Sequence, residues 1–155
     1  MKLFRSFATA LLATTCLFAG ALQAEGAPSK GEQALKYRKS LYQVMAWNFG
    51  PMGAMAQGKV PYDAGEFAKR ANRVALIAPM LSEGFPAETK DLPNSELKPA
   101  MWANRADFDA KMRDLVDRSA TLATVAKTGD FAQSKAAFFD TANACKACHD
   151  KYKNE

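Results

Sequence analysis

Near the C-terminal end of this 155-residue chain stand two thiols and an imidazole, within five consecutive residues: Cys145-Lys146-Ala147-Cys148-His149. On a helix, Cys148 and His149 fall three and four residues after Cys145, so all three side chains share one face. The spacing C-x-x-C-H is the attachment pattern of c-type haem. In that chemistry the cysteines become thioethers on the porphyrin edge and the histidine becomes an axial iron ligand. A helix bearing such a plate must pack its motif-bearing face inward, and this constrains the fold more than any other feature.

Other uses of the motif fit less well. A structural zinc site takes four ligands, and beyond these residues the chain offers only Cys16 and no second histidine. A thioredoxin-like C-x-x-C follows a βαβ pattern, and no strand precedes this one. A disulfide between Cys145 and Cys148 stays open as an alternative, and with it a haem-free thiol oxidoreductase.

Residues 1–24 read as a secretory signal peptide. Lys2 and Arg5 give a positive start, Phe7 to Leu22 is uncharged and apolar, and Leu22-Gln23-Ala24 is a cleavage site before Glu25. Cleavage after Ala21 fits the pattern too. Cys16 lies inside the apolar run and would leave with it. In bacteria such cysteines receive haem outside the cytoplasm, so leader and motif agree on a periplasmic destination. The mature chain, 155 less 24, is 131 residues and forms one domain over 25–155. Its 19 lysines and arginines against 16 acids leave about +3, too mild a charge to indicate nucleic-acid binding. No later segment is apolar for long enough to span a bilayer.

The mature chain carries four amphipathic stretches. Ser29 with Glu32 forms a capping-box pattern ahead of a helix to about Gln57, with Leu35, Arg38, Tyr42, Met45, Phe49 and Met52 as its stripe. Gly50-Pro51 predicts a kink and Gly58 an end. Asp63 with Glu66 opens a second helix to about Leu81, loosened at Pro79, with Phe67, Ala71, Val74, Ala78 and Leu81 as its stripe. Residues 82–101 hold Gly84, Pro86, Pro93 and Pro99 without a period and read as a loop, pinned by Phe85 and Trp102. A third helix begins near Asn104, with Asp107 three residues on, carries Phe108, Met112, Leu115, Leu122 and Ala126 as its stripe, and ends at Gly129. Asp130 with Gln133 caps a fourth, whose stripe is Phe138, Ala142, Cys145, His149 and Tyr152. The fold class that follows is all-α: an antiparallel four-helix bundle with covalently bound haem on the last helix.

Three stretches carry a family likeness. They are Lys36-Tyr37-Arg38 with Tyr42, Met45 and Trp47-Asn48-Phe49-Gly50; Pro61-Tyr62-Asp63; and Ala142-Asn143-Ala144 leading into the haem motif and Tyr152. Across residues 31–155 the chain resembles the cytochromes c′, whose haem motif also lies at the C-terminus. The resemblance implies that Cys145 and Cys148 hold one haem c and that His149 is the single protein ligand to iron. It implies that Arg38 lies by the propionates, that Tyr42 stands over the open distal face, and that Phe85 lines the pocket. Met45 matches a methionine that relatives with an open iron also carry. Lys153 matches a position usually held by arginine, and an ammonium cannot lie flat on a ring as a guanidinium does. Ser82 is small where a tryptophan can occur.

What faces His149 across the iron decides the function. A phenol is a poor ligand for reduced iron, so Tyr42 implies a five-coordinate, high-spin site that binds neutral diatomics such as NO or CO. The alternative is a six-coordinate Met/His electron carrier like the cytochromes c556, with Met45, Met52, Met55 or Met80 as the sulfur ligand. No nucleophile or acid-base pair points to an enzyme. The resemblance further implies a homodimer built on the first two helices, where the second-helix alanines and Met55 suit close contact. Lys146, Lys151 and Lys153 are candidates for docking a redox partner.

Overall fold

A computed structural model describes residues 27–154; the signal-peptide reading of residues 1–24 lies outside them. Four long helices make the bundle: α1 (Lys30–Ala56), α2 (Ala64–Ile77), α4 (Arg105–Ala126) and α5 (Phe131–Tyr152), with a four-residue α3 (Ala100–Ala103) before α4. Among the described residues the only extended pairing is an isolated bridge between Leu97 and Lys153. Helix α1 packs on α2 and α5, and α4 packs on the same two. No described helix is long and apolar enough to cross a membrane.

Local chemistry sets three of the four starts. Ser29 Oγ accepts from Glu32 N at 3.2 Å while Ser29 N donates to Glu32 Oε2 at 2.7 Å, the reciprocal capping box. Asp63 Oδ1 accepts from Glu66 N and Asp130 Oδ1 from Gln133 N, both at 2.9 Å. The fourth start differs from the sequence expectation. Asn104 does not cap α4; its Nδ2 turns back to Ala100 O at 2.9 Å. With α3 running directly into this corner, Asn104 serves the end of one helix rather than the start of the next.

Helix α1 continues through Pro51. A proline lacks the N–H that would bond the carbonyl four residues back, here that of Trp47. Arg70 of α2 supplies the missing donor, Nη1 to Trp47 O at 2.9 Å. The defect in one helix thus becomes a tie to its neighbour. Arg70 is held in turn by Glu66, one turn earlier, at 2.8 Å.

Two of the predicted stripes become core throughout, while the first and last are in part half-buried and His149 is exposed. Phe67, Ala71, Val74, Ala78 and Leu81 of the second stretch are buried, as are Phe108, Met112, Leu115, Leu122 and Ala126 of the third. The segment expected as a loop is partly helical. The second helix stops at Ile77, short of the expected Leu81, and a 3-10 helix takes over from Ala78 to Gly84, through Pro79; another spans Ala87–Thr89. Such short runs leave no detectable period in a sequence. Phe85 is buried and Trp102 half-buried, as anchors should be.

Candidate haem site

Between α1, α4 and α5 lies a cavity of about 710 Å³, within the range of roughly 300–1,000 Å³ common for cofactor sites. Helix α5 brings Cys145, Cys148 and His149 to its wall, as the i, i+3, i+4 spacing required. Both thiols are free and half-buried. Burial pushes each thiol above its ordinary range; at Cys148 the positive charge of Lys111 partly opposes this. His149 faces solvent on one side and the cavity on the other. Partial burial, then the charge of Lys153, lower its basicity and favour the neutral imidazole that a metal needs.

All five other predicted positions reach the same cavity: Arg38, Tyr42, Met45, Phe85 and Lys153. Burial pushes the Tyr42 phenol well above its usual range, and proximity to Cys148 adds to this. Tyr42 is therefore a neutral phenol at neutral pH. Of the four candidate methionines only Met45 lines the cavity. Met52 and Met55 are packed in the core and Met80 is 43% exposed. A fifth methionine, Met112 of α4, also lies on the wall; sequence periodicity marked it only as core.

Arg38 is 3% exposed. Its Nη1 donates to Gly84 O at 3.1 Å and its Nη2 to Ser95 O at 2.9 Å. The guanidinium carbon sits 4.5 Å from the Phe85 ring centroid. Among the described residues no carboxylate lies within ion-pairing distance of it. A buried cation without an ion-pair partner is costly; Glu96 on the same wall favours its charge only from a distance, so the cavity suits an anionic group placed against Arg38. Thiols, imidazole, apolar walls and a cation awaiting acids together fit a haem with its propionates.

Gly84 makes the Arg38 contact feasible. A Cβ there would lie 2.5 Å from Arg38 Cβ. Gly84→Ala is expected to cost about 1–3 kcal/mol by overpacking and to loosen the loop from α1. A thermal melt of the haem-loaded protein checks it; an unchanged Tm would contradict the clamp.

Sequence reasoning missed the strap Ser95–Lys98 that closes one end of the cavity. Ser95, Glu96 and Leu97 line it. Lys98 N donates to Tyr152 O at 2.9 Å and Asn154 N to Glu96 O at 3.0 Å, so the strap is stitched to the end of α5. Asn94 and Glu96 hold φ of 60° and 58°. For non-glycine residues that backbone is sustained by surrounding bonds, and composition gives no sign of it.

A bundle whose last helix presents C-x-x-C-H to an apolar cavity beside a buried arginine defines a haem c protein of the four-helix class. The family model described as Cytochrome C' matches residues 33–153. A cytochrome c' of Rubrivivax gelatinosus is 39% identical over 126 residues, covering 81% of this chain and 98% of the relative. Cytochrome c prime from Shewanella frigidimarina superposes with a TM-score of 0.78 at 40% identity, covering 83% of this chain and all of that one. A ferrous variant of cytochrome c prime from Alcaligenes xylosoxidans with bound NO has a TM-score of 0.75 at 32% identity, covering 83% and 99%. The chain belongs to the cytochrome c′ family.

Proposed function

We propose that this haem c protein binds small neutral diatomic gases, chiefly NO, at a five-coordinate high-spin iron, and that it serves in NO binding or scavenging. The observation that carries the reading is Tyr42: a neutral phenol on the wall of the cavity that Cys145, Cys148 and His149 also line. Cys145 and Cys148 tether the haem and His149, the chain's only histidine, is its sole protein ligand. Arg38 pairs with the propionates, Phe85 packs beneath Arg38, and Lys153, one turn past His149, lines the proximal side. When bound, haem supplies an iron site for a diatomic ligand and a one-electron couple. Tyr42 and the apolar side chains beside it favour a neutral ligand over an ion, which must shed its water to enter. The NO-bound relative from Alcaligenes xylosoxidans supports this choice of ligand.

Met45 on the same wall favours a second reading, a six-coordinate electron carrier of the c556 type. Absorption spectra of the purified protein, oxidised, reduced and with CO, separate the two. A broad high-spin Soret band that sharpens with CO is expected. A split low-spin spectrum indifferent to CO would replace gas binding with the carrier. The dithiol reading draws no support from the thiols, since a redox-active cysteine has a lowered pKa and both of these are raised.

The same proposal places the protein in the periplasm, after removal of the leader with its Lys2, Arg5 and apolar run, and assigns it no enzymatic turnover, because His149 is committed to iron. It includes a homodimer on α1 and α2, supported by the exposed apolar Val44, Trp47 and Leu76. Met55, expected in that contact, is instead core: it is 5% exposed and its sulfur accepts from Asp63 N. Electron exchange with a redox partner is secondary. Lys146 and Lys151 are engaged by Asp150 and Asp107, which leaves them weaker docking charges than their number implies.

A further inference from the structure

We propose that Asp107, acting through Tyr152, is a positioning residue for His149. The inference rests on the haem reading above. Asp107 stands in the first turn of α4, in the pattern that the sequence marks as a helix start, yet Asn104 makes no cap there. The Asp107 carboxylate serves the other helix instead. Its Oδ2 accepts from the Tyr152 hydroxyl and from Lys151 Nζ, the latter at 3.0 Å. Both donors belong to the last turn of α5.

Tyr152 is 1% exposed, sits edge-on to Phe108 with centroids 5.8 Å apart, and lines the same cavity as His149. A buried phenol needs a partner for its hydroxyl, and Asp107 is that partner. Three residues before Tyr152 on the same helical face stands His149. Helix ends fray where their last groups are unheld. Here the final turn is held from α4 by Asp107 and from the strap by Lys98 N on Tyr152 O. Releasing the first hold lets the turn rock, and the imidazole tilts with it.

The iron–histidine stretching band of the ferrous, haem-loaded protein, read by resonance Raman, tests this. In Tyr152→Phe and in Asp107→Ala the band is expected to broaden and move to lower frequency by the same amount, and the double variant to move no further. Asp107→Asn keeps an oxygen for the hydroxyl and returns the band close to its original position. An unchanged band in Tyr152→Phe beside a lowered Tm would reduce the contact to ordinary packing and overturn the inference; shifts that add in the double variant would overturn it too. If Asp107→Ala fails to hold haem, Lys151→Met replaces it. That variant leaves the hydroxyl contact intact, so an unmoved band supports the route through Tyr152 and a shift matching Tyr152→Phe refutes it. A colourless unmutated protein would instead sink the haem reading itself.

Discussion

Replacing Cys145 and Cys148 together with serine is expected to give a colourless protein that keeps much of its helix and loses its fixed packing. The cavity these residues line measures about 710 Å³. Small engineered cavities cost about 24 cal/mol per Å³. Even heavily discounted, an unfilled space of that size competes with the whole stability of a domain, about 5–15 kcal/mol. Arg38 would then be buried without an anion, a further cost. Behind the cavity wall the core is filled by side chains alone: Phe138 stacks on Phe49, itself on the wall, and meets Phe67 edge-on. Far-UV circular dichroism retained with near-UV signal lost is the expected signature. A colourless variant with native near-UV signal and unchanged Tm would show that the haem is not part of the core.

Tyr42→Ala should have the largest effect on ligand binding, raising CO affinity about ten- to hundredfold. A half-buried ring must be displaced before a diatomic can bind, and tenfold in affinity corresponds to about 1.4 kcal/mol. Removing the ring removes that cost. Anions such as azide should gain less than CO, because an ion must shed its water to enter a mainly apolar pocket, and the Arg38 guanidinium already donates to Gly84 and Ser95. Equilibrium CO titration of the ferrous protein measures the first effect and azide titration of the ferric protein the second. Affinity unchanged for CO would remove Tyr42 from the gate. A six-coordinate spectrum in Tyr42→Ala that Met45→Leu abolishes would show that the phenol had been keeping sulfur off the iron.

Much of the bundle was legible because its signals span only three or four residues. The caps at Ser29, Asp63 and Asp130 each join a side chain to a backbone amide three positions on. The stripes of Phe67 to Leu81 and Phe108 to Ala126 repeat at the helical period and are buried as expected. Asn104 misled because the same local pattern serves two helices that meet at a corner. The 3-10 turns after Ile77 escaped because they are shorter than any window in which a period can be counted.

By itself the sequence determined the helices, the face of α5 that carries both thiols and the imidazole, and the membership of Arg38, Tyr42 and Phe85 in one pocket by family likeness. Tertiary structure alone decided that Met45, not Met52, Met55 or Met80, meets the cavity, that Arg70 repairs the break at Pro51, and that Ser95–Lys98 folds over the site to meet residues 152–154. It also turned Asp107 from a helix start into a brace for Tyr152. The division follows from range. Caps and amphipathic periods act between residues a turn apart and are written in adjacent letters, whereas these contacts join residues 23 to 58 positions apart, and no pattern within either segment names its partner.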